Sequence, residues 1–199
     1  MIEGIAVGFA LLYVALAIRE HRACWLAGIA SALLYFGVFW RAALYMESAL
    51  QLYYLAMAGY GWWAWRPSPA VLPDGSPVAL TIHRWPLRRH LAAGAGIAVL
   101  SVLSGWLLGR YTGAALPYFD SAVTWGAVLS TWMMARKVLE NWAYWFVIDS
   151  LSLAIALDRG LTPTAGLFAV YLVLAFVGWR AWHTTWQAHL NSPPGDSPS

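Results

Sequence analysis

The chain carries little charge and almost no cysteine. Of its 199 residues only 11% are Asp, Glu, Lys or Arg, where soluble domains hold roughly a quarter. A single cysteine, Cys24, excludes an intramolecular disulfide and any cysteine-based metal cluster. The five histidines (His21, His83, His90, His183 and His189) flank apolar runs without ligand spacing and read as loop histidines. No metal or cofactor is expected. There is no HExxH, no GxSxG and no Gly-rich phosphate loop, so enzymatic activity is not expected either. The N-terminal apolar run lacks a basic leader and a small-x-small cleavage site, so it reads as a retained first helix rather than a signal peptide.

What is abundant is apolar and aromatic. Hydrophobic residues make up 61% of the chain and aromatics 16%, with fourteen tryptophans, and the mean hydropathy is +0.59. That composition belongs to an all-α integral membrane protein with the lipid bilayer as its solvent. A net charge of +3 could suit nucleic acid, but the basic residues fall in short gaps between apolar runs, as they do in membrane loops. Nucleic acid is therefore not an expected partner.

Seven apolar segments reach spanning length: residues 2–18, 24–40, 48–65, 91–108, 121–135, 142–157 and 163–182. Between the third and fourth lies the longest connection, 66–90, which holds five prolines and an Asp74-Gly75 turn signal. With the N-terminus outside, the inner loops and tail hold Arg19, Arg22, Arg66, Arg84, Arg88, Arg89, Arg136, Lys137 and Arg180. The outer loops then hold Arg41, Arg110 and Arg159. Nine basic residues against three predict an outer N-terminus and a cytoplasmic C-terminus.

The chain also repeats itself. A shift of 117 positions brings Arg19 onto Arg136 and Trp25 onto Trp142. At the end of the third span, Leu50, Tyr54, Leu55, Ala58, Gly61, Trp62, Ala64 and Trp65 meet Leu167, Tyr171, Leu172, Ala175, Gly178, Trp179, Ala181 and Trp182. Eight identities in sixteen positions exceed what a shared apolar bias supplies. The expected organisation is a three-helix repeat over 1–65, a Pro-rich loop and linker helix over 66–118, a second repeat over 119–185 and a disordered tail over 186–199. One linker helix makes the repeats parallel, a 3+1+3 layout like that of SWEET-type transporters.

Polar groups inside the spans break this symmetry. Asp149 meets Ala32, Asn141 meets Cys24 and Gln51 meets Phe168. A symmetric scaffold with asymmetric polar groups points to one asymmetric ligand. Asn141, Trp145 and Asp149 recur at i, i+4 and i+8, within roughly 80° of one another on a helix. A carboxylate in mid-membrane is costly unless it faces a partner or a wet cavity. On the third span, Gln51, Tyr54, Ala58 and Trp62 form a second stripe. Gln51 donates and accepts at once, and the aromatic faces hold flat or cationic rings.

Plainer roles stay open. An aromatic belt at the membrane interface accounts for Trp63, Trp65, Trp179 and Trp182, and Trp62 fits belt and stripe equally. Asn141 could serve as a helix cap, and Asp149 as a structural partner for hydroxyl groups. Glu47, Asp120 and Asp158 lie at span ends and read as solvated.

Two stretches together resemble the PnuC family of bacterial vitamin transporters. They are Leu50-Gln51-Leu52-Tyr53-Tyr54 leading to Tyr60-Gly61-Trp62-Trp63-Ala64-Trp65, and Glu140-Asn141-Trp142-Ala143-Tyr144-Trp145 leading to Asp149. The resemblance implies a homotrimeric facilitator in the inner membrane that carries nicotinamide riboside, with phosphorylation in the cytoplasm drawing it into NAD synthesis. The two stripes, which these stretches contain, make Gln51, Tyr54, Trp62, Asn141, Trp145 and Asp149 the expected substrate-binding residues, converging on one cavity near the bilayer midplane. Thiamine and riboflavin carriers belong to the same family, so the choice of vitamin stays open. A membrane module that binds a vitamin and delivers it to another subunit is the more distant alternative.

Overall fold

The computed structural model describes residues 2–41, 45–67, 79–113 and 116–191. Seven helices make up the described residues: α1 (Ile2–Ile18), α2 (Cys24–Arg41), α3 (Tyr45–Ala64), α4 (Leu87–Tyr111), α5 (Pro117–Ala135), α6 (Asn141–Asp158) and α7 (Thr162–Asn191). Helices alone satisfy every backbone N–H and C=O within one segment, which is what a hydrocarbon solvent demands. Three of them, α2, α4 and α7, meet the length and apolarity of a membrane span outright, and α1 is a shorter apolar helix. Many large apolar side chains point outward, among them Leu91, Val99, Val102, Leu103 and Trp106 on α4. In water such a surface is a liability; against lipid tails it is the ordinary exterior.

Several helices overrun their apolar segments. α4 starts at Leu87 and ends at Tyr111, α5 starts at Pro117, and α7 continues to Asn191. Hydropathy stops at charged side chains, but the backbone ladder does not. Residues 186–191 are thus helical, where a tail was expected, and 192–199 lie outside the described residues. Residues 68–78 of the Pro-rich connection lie outside them as well. His90, expected in a loop, sits in the first turns of α4 and meets the Tyr144 hydroxyl at 3.0 Å.

The chain forms two compact units. The first holds residues 1–83, 135–137 and 180–199; the second holds 84–134 and 138–179. In the first unit α1 packs on α2 and α2 on α3. Gly61 of α3 has no room for a side chain, because a Cβ there would overlap the Trp25 indole of α2. Ser31 ties α2 to α1 by donating to the Ala6 carbonyl at 3.1 Å. In the second unit the same device returns. A Cβ on Gly178 of α7 would lie 2.6 Å from the Trp142 indole of α6. The shared Gly and Trp positions of the sequence repeat are therefore packing contacts, formed once in each unit.

The helix ends repeat as well. After α1, His21 N–H bonds to the Leu16 carbonyl and Glu20 N–H to the Ala17 carbonyl, with Glu20 at φ 54°. After α5, Val138 N–H bonds to the Met133 carbonyl, with Lys137 at φ 53°. These are left-handed helix stops of the kind usually built on glycine. α6 ends in that usual way, at Gly160 with φ 69°.

Candidate substrate site

Each candidate stripe lies on one continuous helix, and each belongs to one unit. In the first unit α3 carries Gln51 and Tyr54, both half-buried, then buried Ala58 and half-buried Trp62. Tyr13 of α1, which the sequence did not single out, stands nearby against α2. Its ring meets Trp25 edge-on at 5.6 Å, and it lies 3.2 Å from where a Cβ on Gly28 would be. Gly28 in turn faces the Ala58 methyl. Small residues at 28 and 58 let α2, α3 and the Tyr13 ring come close beside the stripe.

Trp62 already has a cation. The Arg22 guanidinium lies 3.7 Å from its ring centroid, and Arg22 Nε donates to the Trp62 carbonyl at 3.1 Å. One indole face is thereby taken, which favours an anchoring role for Trp62. The belt reading divides its other members. Trp63 is exposed, as a belt residue should be. Trp65 and Trp182 are buried instead, and their indole N–H groups donate to the Ala135 and Ala17 carbonyls, each at 3.1 Å. Carbonyls at a helix end have acceptor capacity to spare, and the Ala17 carbonyl takes the indole N–H as a second donor beside the Glu20 N–H.

In the second unit α6 carries Asn141, fully buried, Trp145, half-buried, and Asp149, buried. Asn141 is not a helix cap. A cap accepts a backbone N–H through its side-chain oxygen, whereas Asn141 Nδ2 donates to the Val138 carbonyl at 2.7 Å. That bond fixes the amide with Oδ1 turned away, and Oδ1 has no hydrogen-bond partner among the described residues. The Asp149 carboxylate likewise forms no ion pair or hydrogen bond among them. Leaving a buried acceptor unsatisfied costs on the order of 1–3 kcal/mol, more if it is charged. Two such acceptors on one helix face, with an indole between them, suit a ligand that brings its own donors. Glu47, Asp120 and Asp158 are exposed, in keeping with their positions at helix ends.

Glu140, which opens this stretch immediately before the stripe, had no role assigned from the sequence. Its buried carboxylate accepts from Arg84 Nε at 2.7 Å and from the Trp85 backbone N–H at 3.2 Å. Trp85 also packs against Trp132 and His90, with ring centroids 5.6 Å apart in each case. Together these contacts hold the entry to α4 against the start of α6. A lone Glu in an apolar stretch gave no sign of this, because its partners lie more than fifty residues away in the chain.

The chain is 25% identical over 173 residues to the riboflavin/roseoflavin transporter RibM of Streptomyces davaonensis, covering 86% of this chain and 79% of that one. It is 23% identical over 201 residues to the nicotinamide riboside transporter PnuC of Escherichia coli, covering 91% and 84%. A PnuC from Neisseria mucosa is 28% identical over 170 residues, covering 79% of this chain and 62% of that one. The fold matches a crystal structure of the vitamin B3 transporter PnuC with a TM-score of 0.73 at 20% identity, over 94% of this chain and 83% of that one. These relatives are membrane transporters and not enzymes. The model of the nicotinamide mononucleotide transporter family matches residues 1–184, and the chain belongs to that family.

Proposed function

We propose that this vitamin transporter of the inner membrane carries nicotinamide riboside by facilitated diffusion, supplying NAD synthesis. Gln51 and Tyr54 on α3 and Asn141, Trp145 and Asp149 on α6 would bind the substrate, with Trp62 offering the indole face that Arg22 leaves open. The observation that supports this reading is that, among the described residues, neither the buried Asn141 Oδ1 nor the carboxylate of buried Asp149, one helical turn to either side of Trp145, has a hydrogen-bond partner. Nicotinamide riboside brings carboxamide and ribose donors to such acceptors and a positively charged ring to the indole and the carboxylate. Neither α3 nor α6 contains Lys or Arg, so neither helix supplies a counter-charge to the phosphorylated mononucleotide; the Arg22 beside Trp62 comes from the turn before α2 and is held there by the Trp62 carbonyl.

The 3+1+3 parallel layout, with repeats at 1–65 and 119–185, belongs to the same proposal. It is supported by the paired Trp–Gly contacts and the paired left-handed helix ends, each 117 residues apart. The charge count supports an outer N-terminus and a cytoplasmic C-terminus. The homotrimer is carried over from the resemblance alone.

Riboflavin is the second reading, favoured by the likeness to RibM. Riboflavin is neutral, so it would gain hydrogen bonds from Asp149 but no charge pairing. Uptake into liposomes by the purified protein decides between them, with nicotinamide riboside, its mononucleotide, thiamine and riboflavin as competitors. Nicotinamide riboside should compete best and the mononucleotide not at all. Uptake inhibited only by riboflavin or only by thiamine would overturn the choice of vitamin. No uptake without a further subunit would favour a binding module.

A further inference from the structure

Glu20 and Lys137 are 117 residues apart, the register of the internal repeat, and they bond to each other. Lys137 Nζ donates to Glu20 Oε2 at 2.8 Å, with side chains only 12% and 23% exposed. Each is the left-handed residue that ends the first helix of its repeat. A residue with a Cβ is sterically disfavoured in that conformation, a cost glycine would avoid. The chain uses glycine at the end of α6, so its absence at 20 and 137 calls for a use of the side chains. The ion pair is that use.

The pair closes a larger seal. Trp65, from the first repeat, donates to the Ala135 carbonyl at the end of α5, in the second. Trp182, from the second repeat, donates to the Ala17 carbonyl near the end of α1, in the first. The two indoles pack at a tilt with ring centroids 6.1 Å apart, and Lys137 Nζ lies 4.9 Å from the Trp65 ring centroid. Arg136 adds a bond to the Tyr60 hydroxyl at 3.0 Å. Every one of these contacts joins a segment of one repeat to a segment of the other, at the end of the first unit where α1, α3 and α5 stop.

We propose that Glu20–Lys137, with Trp65 and Trp182, is the gate at this end of the transporter, closed in the present structure. An ion pair suits a contact that must open in each cycle. Once parted, both charges are hydrated, whereas an apolar plug would meet water unaided. The crossed tryptophan bonds release carbonyls at helix ends, which water also satisfies. This proposal rests on the transport reading and is independent of which vitamin is carried.

The test reads access to the interior without any vitamin. In a Cys24→Ala background, a reporter cysteine replaces buried Ala58 on α3, or buried Ser101 on α4 of the second unit as a control. With Glu20→Gln plus Lys137→Gln added, maleimide should label the residue-58 reporter about tenfold faster and the residue-101 reporter at an unchanged rate. Reversing the charges with Glu20→Lys plus Lys137→Glu should restore slow labelling at 58. Equal acceleration at both reporters would mean a general staple and would overturn the gate, as would no acceleration at 58. Should uptake of nicotinamide riboside fail in liposomes while the labelling pattern holds, the substrate assignment falls and the gate stands.

Discussion

Trp142 lies against the bare Cα of Gly178, at a separation that leaves no space for a methyl group. The same relationship joins Trp25 to Gly61, 117 residues earlier. Backbone and a bulky ring meet in both pairs, so neither side can yield easily. Gly178→Ala should lower stability by about 1–3 kcal/mol through overpacking. Gly59→Ala, on the open side of α3, should be neutral or raise stability by up to about 1 kcal/mol through helix propensity. Melting of the purified protein in detergent measures both; equal melting temperatures would mean that the tight contact does not exist.

Asp149 couples binding and stability in opposite directions. Replacing it with Asn keeps the shape but removes a desolvated charge, so the empty protein should melt higher. A hydrogen bond to a charged group contributes about 1.5–3 kcal/mol, so affinity for nicotinamide riboside should fall roughly ten- to hundredfold. Calorimetric titration alongside a melting curve reads both effects. Unchanged affinity would remove Asp149 from the site.

Trp145→Ala should weaken binding of a cationic ring by about 1–2 kcal/mol, or five- to thirtyfold. Trp145→Phe should recover part of the loss, because a phenyl face still attracts a cation, though less strongly. Riboflavin binding, if present, should suffer from Trp145→Ala through stacking alone. The ratio between the two vitamins across this series measures how much of the contact is electrostatic.

Glu140→Ala should release both Arg84 and the Trp85 backbone N–H. Removing one partner of a buried charge pair typically costs about 3–5 kcal/mol, and here the Arg84 side chain is nearly half exposed, which lowers the expected loss to about 1–3 kcal/mol. Glu140→Gln keeps one acceptor and should cost less. Proteolysis of the segment before α4 supplies the measurement: faster cleavage in Glu140→Ala, with wild-type rates in an exposed Glu47→Ala control.

Helix number and placement were legible in the chain itself, because a hydrocarbon solvent admits few structures and marks each with a long apolar run. The stripe Asn141–Trp145–Asp149 was legible for the same reason: helical periodicity alone puts i, i+4 and i+8 on one face. The register of 117 was also written there, in residues such as Gly61 and Gly178. What those glycines face was not, since the partner indoles lie on other helices. Trp65 and Trp182 looked like membrane-interface residues, yet they are buried donors to Ala135 and Ala17. Lys137 looked like a loop charge, yet it sits at a left-handed helix end and bonds to Glu20 at another. In each case hydropathy reports how a residue partitions between water and lipid. Only tertiary structure decides which distant carbonyl, ring or charge it meets, because that depends on contacts across more than thirty residues of chain.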